Sequence, residues 1–298
     1  LLLADLSGKE PKPVLTTTVE GLWVLQALLG VESMPVALHL KPFIPSAHGS
    51  LIVETTAGHA PLSQTAEYHS LVQAGVIDGR GQVDDVVRDW MKVLGRPERE
   101  VVLVIRRPSG QVNAEDMPTV SERVMVVCLH RRWMAMAARD GREVVIGGVG
   151  ESEDPDRQIE LMCRALVPAF GEAIAADIEG VNVEMDTLKA SLEAAAPAGR
   201  EAISAALARV GLPPREVEVV TAATRLDESA MAVVSLIDHG RELHAHERVL
   251  SVADTEYGRV SFTTTSGADG KRWVSIWPTT PAGLHEDLAD LLATRRVA

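Results

Sequence analysis

LTTTVEGLWVLQALLG, from Leu15 to Gly30, and GVNVEMDTLKASLEA, from Gly180 to Ala194, are two versions of one segment. Each opens on a short β-prone run and passes directly into apolar residues at helical spacing. In the first copy Leu22, Leu25, Leu28 and Leu29 form the face and Gly30 ends it. Val19 lines up with Val183, and Glu20 with Glu184. A strand that turns at once into a helix, met twice in the same chain, predicts a duplicated α+β unit.

The sequence on either side supports the duplication. After the first copy, Leu40–Thr65 carries Pro42, Pro45 and Pro61 without sustained period and reads as loop with room for a short strand. Helices are expected at Gln64–Ala74 and at Val83–Leu94, the latter with Val83, Val86, Val87, Trp90, Met91 and Leu94 on one face. Four strands should follow, Glu100–Arg106, Arg123–Leu129, Trp133–Ala138 and Arg142–Gly147, the last two joined by the hairpin signal Asp140-Gly141. Asp154 as N-cap and Pro155 at the first helical position then open a helix carrying Ile159, Met162, Cys163, Leu166 and Val167.

The second copy leads through the same order. Helices are expected at Asp186–Ala194, Ala198–Val210 and Pro213–Thr224, then strands at Ser229–Ile237, Glu242–Val252, Gly258–Thr265 and Lys271–Trp277, with turns at Asp238-His239-Gly240, Glu256-Tyr257-Gly258 and Asp269-Gly270. Thr280 and Pro281 repeat the helix start of Asp154 and Pro155, ahead of Leu284, Leu288, Leu291 and Leu292. Both halves read β-α-α-α-β-β-β-β-α, an α+β fold. The expected organisation is a disordered or tail segment at 1–13, an N-terminal half at 14–172 and a C-terminal half at 173–298. The halves should pair about a pseudo-two-fold axis into one unit, each covering a sheet face or edge the other leaves bare.

Bulk composition narrows the function. With 298 residues, 46% of them hydrophobic, the chain can bury a core without metals or disulfides. A net charge of −13 repels phosphate backbones and anionic lipid, so nucleic acid is excluded as a partner. Cys128 and Cys163 sit in apolar runs without metal-type spacing and read as reduced core cysteines, which points to a cytoplasmic protein. No apolar run reaches the roughly 18 residues of a membrane helix, and the first residues lack the pattern of a signal peptide.

Catalytic signatures are missing. There is no GxSxG elbow, Walker loop, HExxH or zinc-type cysteine pairing, and no cofactor is expected. Gly148-Val149-Gly150 follows a strand and precedes a helix but lacks a third glycine, and Glu151, Glu153, Asp154 and Asp156 crowd the place a phosphate would take. His239 belongs to a turn. His244 and His246 fall on one face of a strand, where they read as solvated side chains rather than a metal pair.

Two segments look suited to holding a partner. Arg107–Ser121 is far longer than a hairpin loop requires, and Val112, Asn113 and Met117 are its candidate contacts. Pro197–Arg225 has apolar residues on more than one side, with Leu212, Val219, Val220 and Ala223 as a candidate partner-facing strip, core packing being the alternative.

Five stretches in order then resemble one family. They are LTTTVEGLWVLQALLGV (Leu15–Val31), LHLKPFIP (Leu38–Pro45), HSLVQAGVIDGRGQVDDVVRDWMKVLGRPER (His69–Arg99), VADTEYGRVSF (Val252–Phe262) and WVSIWPTTP (Trp273–Pro281). Together they resemble the EspG proteins, the cytosolic chaperones of mycobacterial type VII (ESX) secretion. The resemblance implies a pseudo-symmetric fold, with a central antiparallel sheet flanked by two helical sets, and no active-site residues. It also implies binding of PE/PPE heterodimers through the tip of the PPE protein, before export. The contacts would fall in Arg107–Ser121 and Pro197–Arg225, and the free form would be a monomer or weak dimer. An acidic holder should reject acidic client tips and accept basic or neutral ones. Two rival readings are a small-molecule or catalytic protein using His244, His246 and Asp254 in a cleft between the halves, and a structural homo-oligomer joined through strand edges.

Overall fold

Thr18 decides where the first strand gives way to helix. Its Oγ1 accepts a hydrogen bond from the Gly21 N–H at 3.0 Å, satisfying one of the donors a helix start leaves open. The computed structural model describes residues 14–40, 52–55, 58–113, 118–268 and 270–297. Its first half contains β1 (Val14–Thr18), α1 (Val19–Leu29), β2 (Ile52–Thr55), β3 (Gly58–Pro61), α2 (Ala66–Gln73), α3 (Asp85–Gly95), β4 (Arg99–Val112), β5 (Pro118–His130), β6 (Trp133–Asp140), β7 (Glu143–Glu151) and α4 (Pro155–Leu166). The second contains β8 (Val181–Glu184), α5 (Met185–Ala195), α6 (Arg200–Val210), α7 (Pro214–Ala223), β9 (Ala230–His239), β10 (Leu243–Ala245), β11 (Leu250–Thr255), β12 (Gly258–Ser266), β13 (Arg272–Pro278) and α8 (Pro281–Leu292).

Both halves contribute to one antiparallel sheet in the order β1-β7-β6-β5-β4-β9-β11-β12-β13-β8, with β10 added to β9. The order is the same from either end once β1 is equated with β8, β4 with β9 and β7 with β13. Its centre is the antiparallel pair of β4 and β9, in register from Arg99 opposite Asp238 to Arg106 opposite Met231. A pseudo-two-fold axis through that pair, normal to the sheet, keeps equivalent helices on the same face.

Alternation along the strands builds three cores on two faces. On one face Val124, Val126, Ala135, Ala137, Val144 and Ile146 pack under α1, α2 and α3, while Val183, Ala253, Val260 and Ile276 pack under α5, α6 and α7. On the other face Val101, Leu103, Ile105, Val127, Val234, Leu236 and Val252 meet α4 and α8 in one core that spans both halves. The matched helix starts hold: Asp154 accepts from the Asp156 N–H at 3.1 Å, and Thr280 Oγ1 from the Gly283 N–H at 3.1 Å.

Four details depart from expectation. The helix starts set Thr18 against Glu184, two residues away from the register implied by the matched Val-Glu pairs. Glu242–Val252 is not one strand: β10 ends at Ala245 and β11 begins at Leu250, because His246 turns inward to Asp238 and Arg248 reaches Asp290. Arg107–Ser121 is not a loop, since β4 and β5 continue through most of it as a projecting hairpin. Within the expected loop Leu40–Thr65, β2 and β3 pair from Ile52 opposite Pro61 to Thr55 opposite Gly58. Residues 1–13, Met117 and Asp269 lie outside the described residues.

Candidate functional site

Since α1–α3 and α5–α7 lie over the two flanks of the same face, the central strands between them are only partly covered. Val104, Met231, Val233, Ser235 and Ile237 are all half-buried there. Val104 faces Val233 across the pair, and Arg106 faces Met231. Val104 and Ile237 pack against the first-half core and Met231 against the second, whereas Val233 belongs to neither. The result is an apolar strip between two helical walls, which can take an apolar surface from outside without rearranging a core.

At one end of the strip the β4–β5 hairpin projects beyond the neighbouring strands. Val112 is 59% exposed and Val120 43%, on a framework of polar contacts. Ser109 Oγ donates to the Thr119 carbonyl at 2.9 Å, Thr119 Oγ1 donates to the Gln111 carbonyl at 3.2 Å, and the Gln111 N–H donates to Ser109 Oγ at 3.1 Å. A register shift between Pro108 and Val112 bends the ladder. Val112 and Asn113 are therefore exposed at the hairpin's end.

The helical strip expected in the second half is placed differently. Leu212 is buried at 5%, and Val219, Val220 and Ala223 at 2% each, all inside the core formed with Val183, Ala253 and Ile276. They cannot face a partner in this conformation. Apolar residues on more than one side of α7 serve two neighbours, α6 and the sheet, since both contact that helix. The residues missed by sequence reading are those of the strip. Their one signal was β9 itself, where Val233 and Ile237 share a face with Ser235 while Ala232, Val234 and Leu236 fill the other.

At the other end of the β4–β9 pair, on the face that carries α4 and α8, lies a buried polar seam between the halves. Arg99 donates to both carboxylate oxygens of Asp238, at 2.6 and 3.0 Å, and to the carbonyls of Leu292 and Thr294 at 3.1 and 2.9 Å. His246 Nε2 lies 2.7 Å from the same carboxylate, and the Val297 N–H donates to it at 2.9 Å. Burial alone would raise the Asp238 pKa, but these donors outweigh it and hold the carboxyl well below the usual carboxylate range. Next to it Glu100 is shifted upward by burial, an effect that the nearby His239 only partly offsets. Burial also pushes the Cys163 thiol up to about 12 and the Cys128 thiol well above its ordinary value. Neither thiol is a poised nucleophile.

His244, His246 and Asp254 do not converge. His246 is committed to the seam, and the His244 ring stacks edge-on against it at 4.9 Å. Asp254 lies opposite Ala230 at the far end of β9, paired with Arg259 at 2.6 Å. His246 is thus a buried, bonded side chain rather than a solvated one. Among the described residues no group of three or more metal-ligating side chains comes together, and no helix is long and apolar enough to cross a membrane.

Comparison with known proteins agrees with this architecture. The ESX-2 secretion-associated protein EspG2 of Mycobacterium tuberculosis is 29% identical over 261 residues, covering 85% of this chain and 86% of the relative. The ESX-5 secretion-associated protein EspG5 of Mycobacterium marinum is 25% identical over 294 residues, covering 94% and 93%. The fold matches a solved structure of the Mycobacterium tuberculosis type VII secretion system chaperone EspG5 in complex with a PE25-PPE41 dimer, with a TM-score of 0.72, 21% identity and coverage of 95% and 96%. A sequence profile of the EspG family matches residues 18–290, and with two pseudo-symmetric halves sharing one sheet, the chain belongs to the EspG family.

Proposed function

We propose that this chain is a non-catalytic cytoplasmic chaperone of type VII secretion, which binds a PE/PPE heterodimer through the PPE protein and keeps it soluble before export. The observation that carries this reading is the half-buried strip of Val104, Met231, Val233 and Ile237 between two helical sets, with the exposed hairpin at its end. A rigid sheet floor with an apolar centre and a polar, adaptable margin suits masking of an apolar helical tip. Family membership and the PE25-PPE41 dimer held by the related EspG5 supply the class of client. Val112 and Asn113 remain proposed contacts on the hairpin, joined by the strip. The two halves act as one unit, and the free chain is a monomer or weak dimer.

Co-expression with candidate PE/PPE pairs, followed by mass measurement of the purified species, tests the proposal. A complex with one copy of each protein is the expected result, and Val233→Glu should abolish it while leaving the fold intact. A lone chain with every pair tested would overturn it. Charge reversal at exposed acidic positions should change which pairs are held, because like-charged tips are rejected by the field of a protein at −13.

A further inference from the structure

On the face that carries the apolar strip, β4 places Glu100 at the same alternation as Val102 and Val104. Glu100 lies opposite Cys128 of β5 and opposite Ile237 of β9, so its carboxylate is flanked by apolar neighbours, and it is only 3% exposed. His239, the last residue of β9 and two beyond Ile237, shares that face. Its N–H donates to the Glu98 carbonyl at 2.9 Å, and its buried Nε2 lies 3.0 Å from Glu100 Oε1. The imidazole keeps 26% of its side-chain surface open beside the strip.

Other buried carboxylates are met by N–H donors. Asp238 takes two from Arg99, and Glu216 takes one from the Glu179 backbone at 3.3 Å. Glu100 differs: among the described residues it is paired with His239 and with no lysine or arginine. Glu98, two residues earlier, is already matched by Arg296 at 3.2 Å. Burying a carboxylate without a full cationic partner is costly, and burial accordingly pushes the Glu100 pKa up, with His239 offsetting only part of the effect. Because the carboxylate takes the Nε2 side of the ring, Nδ1 is the nitrogen left to accept a hydrogen bond from outside.

The hairpin end of the strip has the opposite sign. There Arg106 faces Met231 and pairs with Glu122 at 2.9 Å, both side chains being open to solvent. Arg106 and Glu100 stand about 20 Å apart along the extended strand. A surface laid over Val104, Val233 and Ile237 therefore meets a solvated guanidinium at one end and a buried carboxylate–imidazole pair at the other. The complement of that second end is a positive side chain able to donate an N–H. It supplies the cation Glu100 lacks and a donor for His239 Nδ1, and charge-assisted bonds of this kind are the strong ones.

We infer that Glu100 and His239 form a recognition site for one lysine or arginine side chain of the client tip, fixing the direction in which the client lies along the strip. This rests on the proposed chaperone function. His239 makes the contact, and Glu100 is a positioning residue that sets the ring's tautomer and supplies the charge. The test uses the full chain with a PE/PPE pair that it holds. Glu100→Gln should weaken the complex at least about tenfold, and Glu100→Gln/His239→Phe no less, each with an unfolding midpoint close to that of the unaltered chain. Exchanging the lysines and arginines of the client tip singly for methionine should find one whose loss weakens the complex with the unaltered chain but not with the Glu100→Gln chain. In 15N spectra His239 should be the Nε2–H tautomer, its Nδ1 signal should move on complex formation, and Glu100→Gln should abolish the tautomer preference. Equal affinity of the unaltered and Glu100→Gln chains, or coupling to a neutral or acidic client residue instead, would overturn the site while leaving the chaperone function standing. Where a chain variant does not fold, the client scan decides alone: if no basic residue of the tip matters, the site is overturned. If the unaltered chain holds no pair, the chaperone function falls and the site with it.

Discussion

The two halves follow one plan and are sealed in two ways. In the second half, the turn between β11 and β12 offers Gly258 and the segment before β8 packs against it. Arg259, itself 3% exposed, ties that segment down through the Phe170 and Gly171 carbonyls and through Asp254. In the first half, the equivalent turn ends in Trp133, α3 presents Val86, and among the described residues a groove lies beside them. Duplication repeats backbone order because strand and helix periods repeat. It does not repeat closure, which depends on whether a single position is glycine or tryptophan and whether a helix offers arginine or valine.

The largest effect should come from the seam that both halves share. Asp238→Ala leaves Arg99 buried without its carboxylate and should cost about 3–5 kcal/mol in chemical denaturation. A single transition at a lower midpoint is expected, since the α4–α8 core spans both halves; two separated transitions would break the picture of one shared core. Arg259→Met should cost about 3 kcal/mol by the same logic, confined to the second half, and should raise amide exchange along Glu172–Gly180 well before it affects α1–α3.

Gly258→Ala should follow at about 2 kcal/mol, because φ is +111° there and the new Cβ meets the Ala175–Ala176 backbone. Its first-half counterpart gives the sharper comparison: Trp133→Ala should stay within about 1 kcal/mol, the ring being nearly half exposed. The smallest effect is acid sensitivity. The Asp238 pKa is depressed in the folded state, so its contribution is complete above the unfolded value near pH 4 and fades as pH falls below that. Asp238→Asn should flatten this acid limb in a pH series of unfolding midpoints; an unchanged slope would contradict the linkage.

Much of the fold was legible. Leu22 to Leu29, the Asp154-Pro155 and Thr280-Pro281 starts, and the Asp140-Gly141 turn each carry a local rule, and each element formed where that rule placed it. The hairpin was not legible as strand because Pro108, Gly110 and the polar residues around them resemble loop, while pairing across β4 and β5 overrides that preference. The strip of Leu212, Val219, Val220 and Ala223 misled for the opposite reason. Apolar surface on several sides of a helix identifies burial, not a partner, and only the positions of α6 and the sheet show which.

Sequence alone determined the duplication and the α+β class, because periodicity, capping residues and turn glycines act within a few neighbours along the chain, and it pointed to the family through the resemblance of five stretches in order. Tertiary structure decided the site. Whether Val233 and Ile237 are covered or open depends on how far apart two helical sets stand over a sheet joined at Arg99 and Asp238. Those two residues are 139 positions apart in sequence, and that contact exists only after the halves have closed on one another.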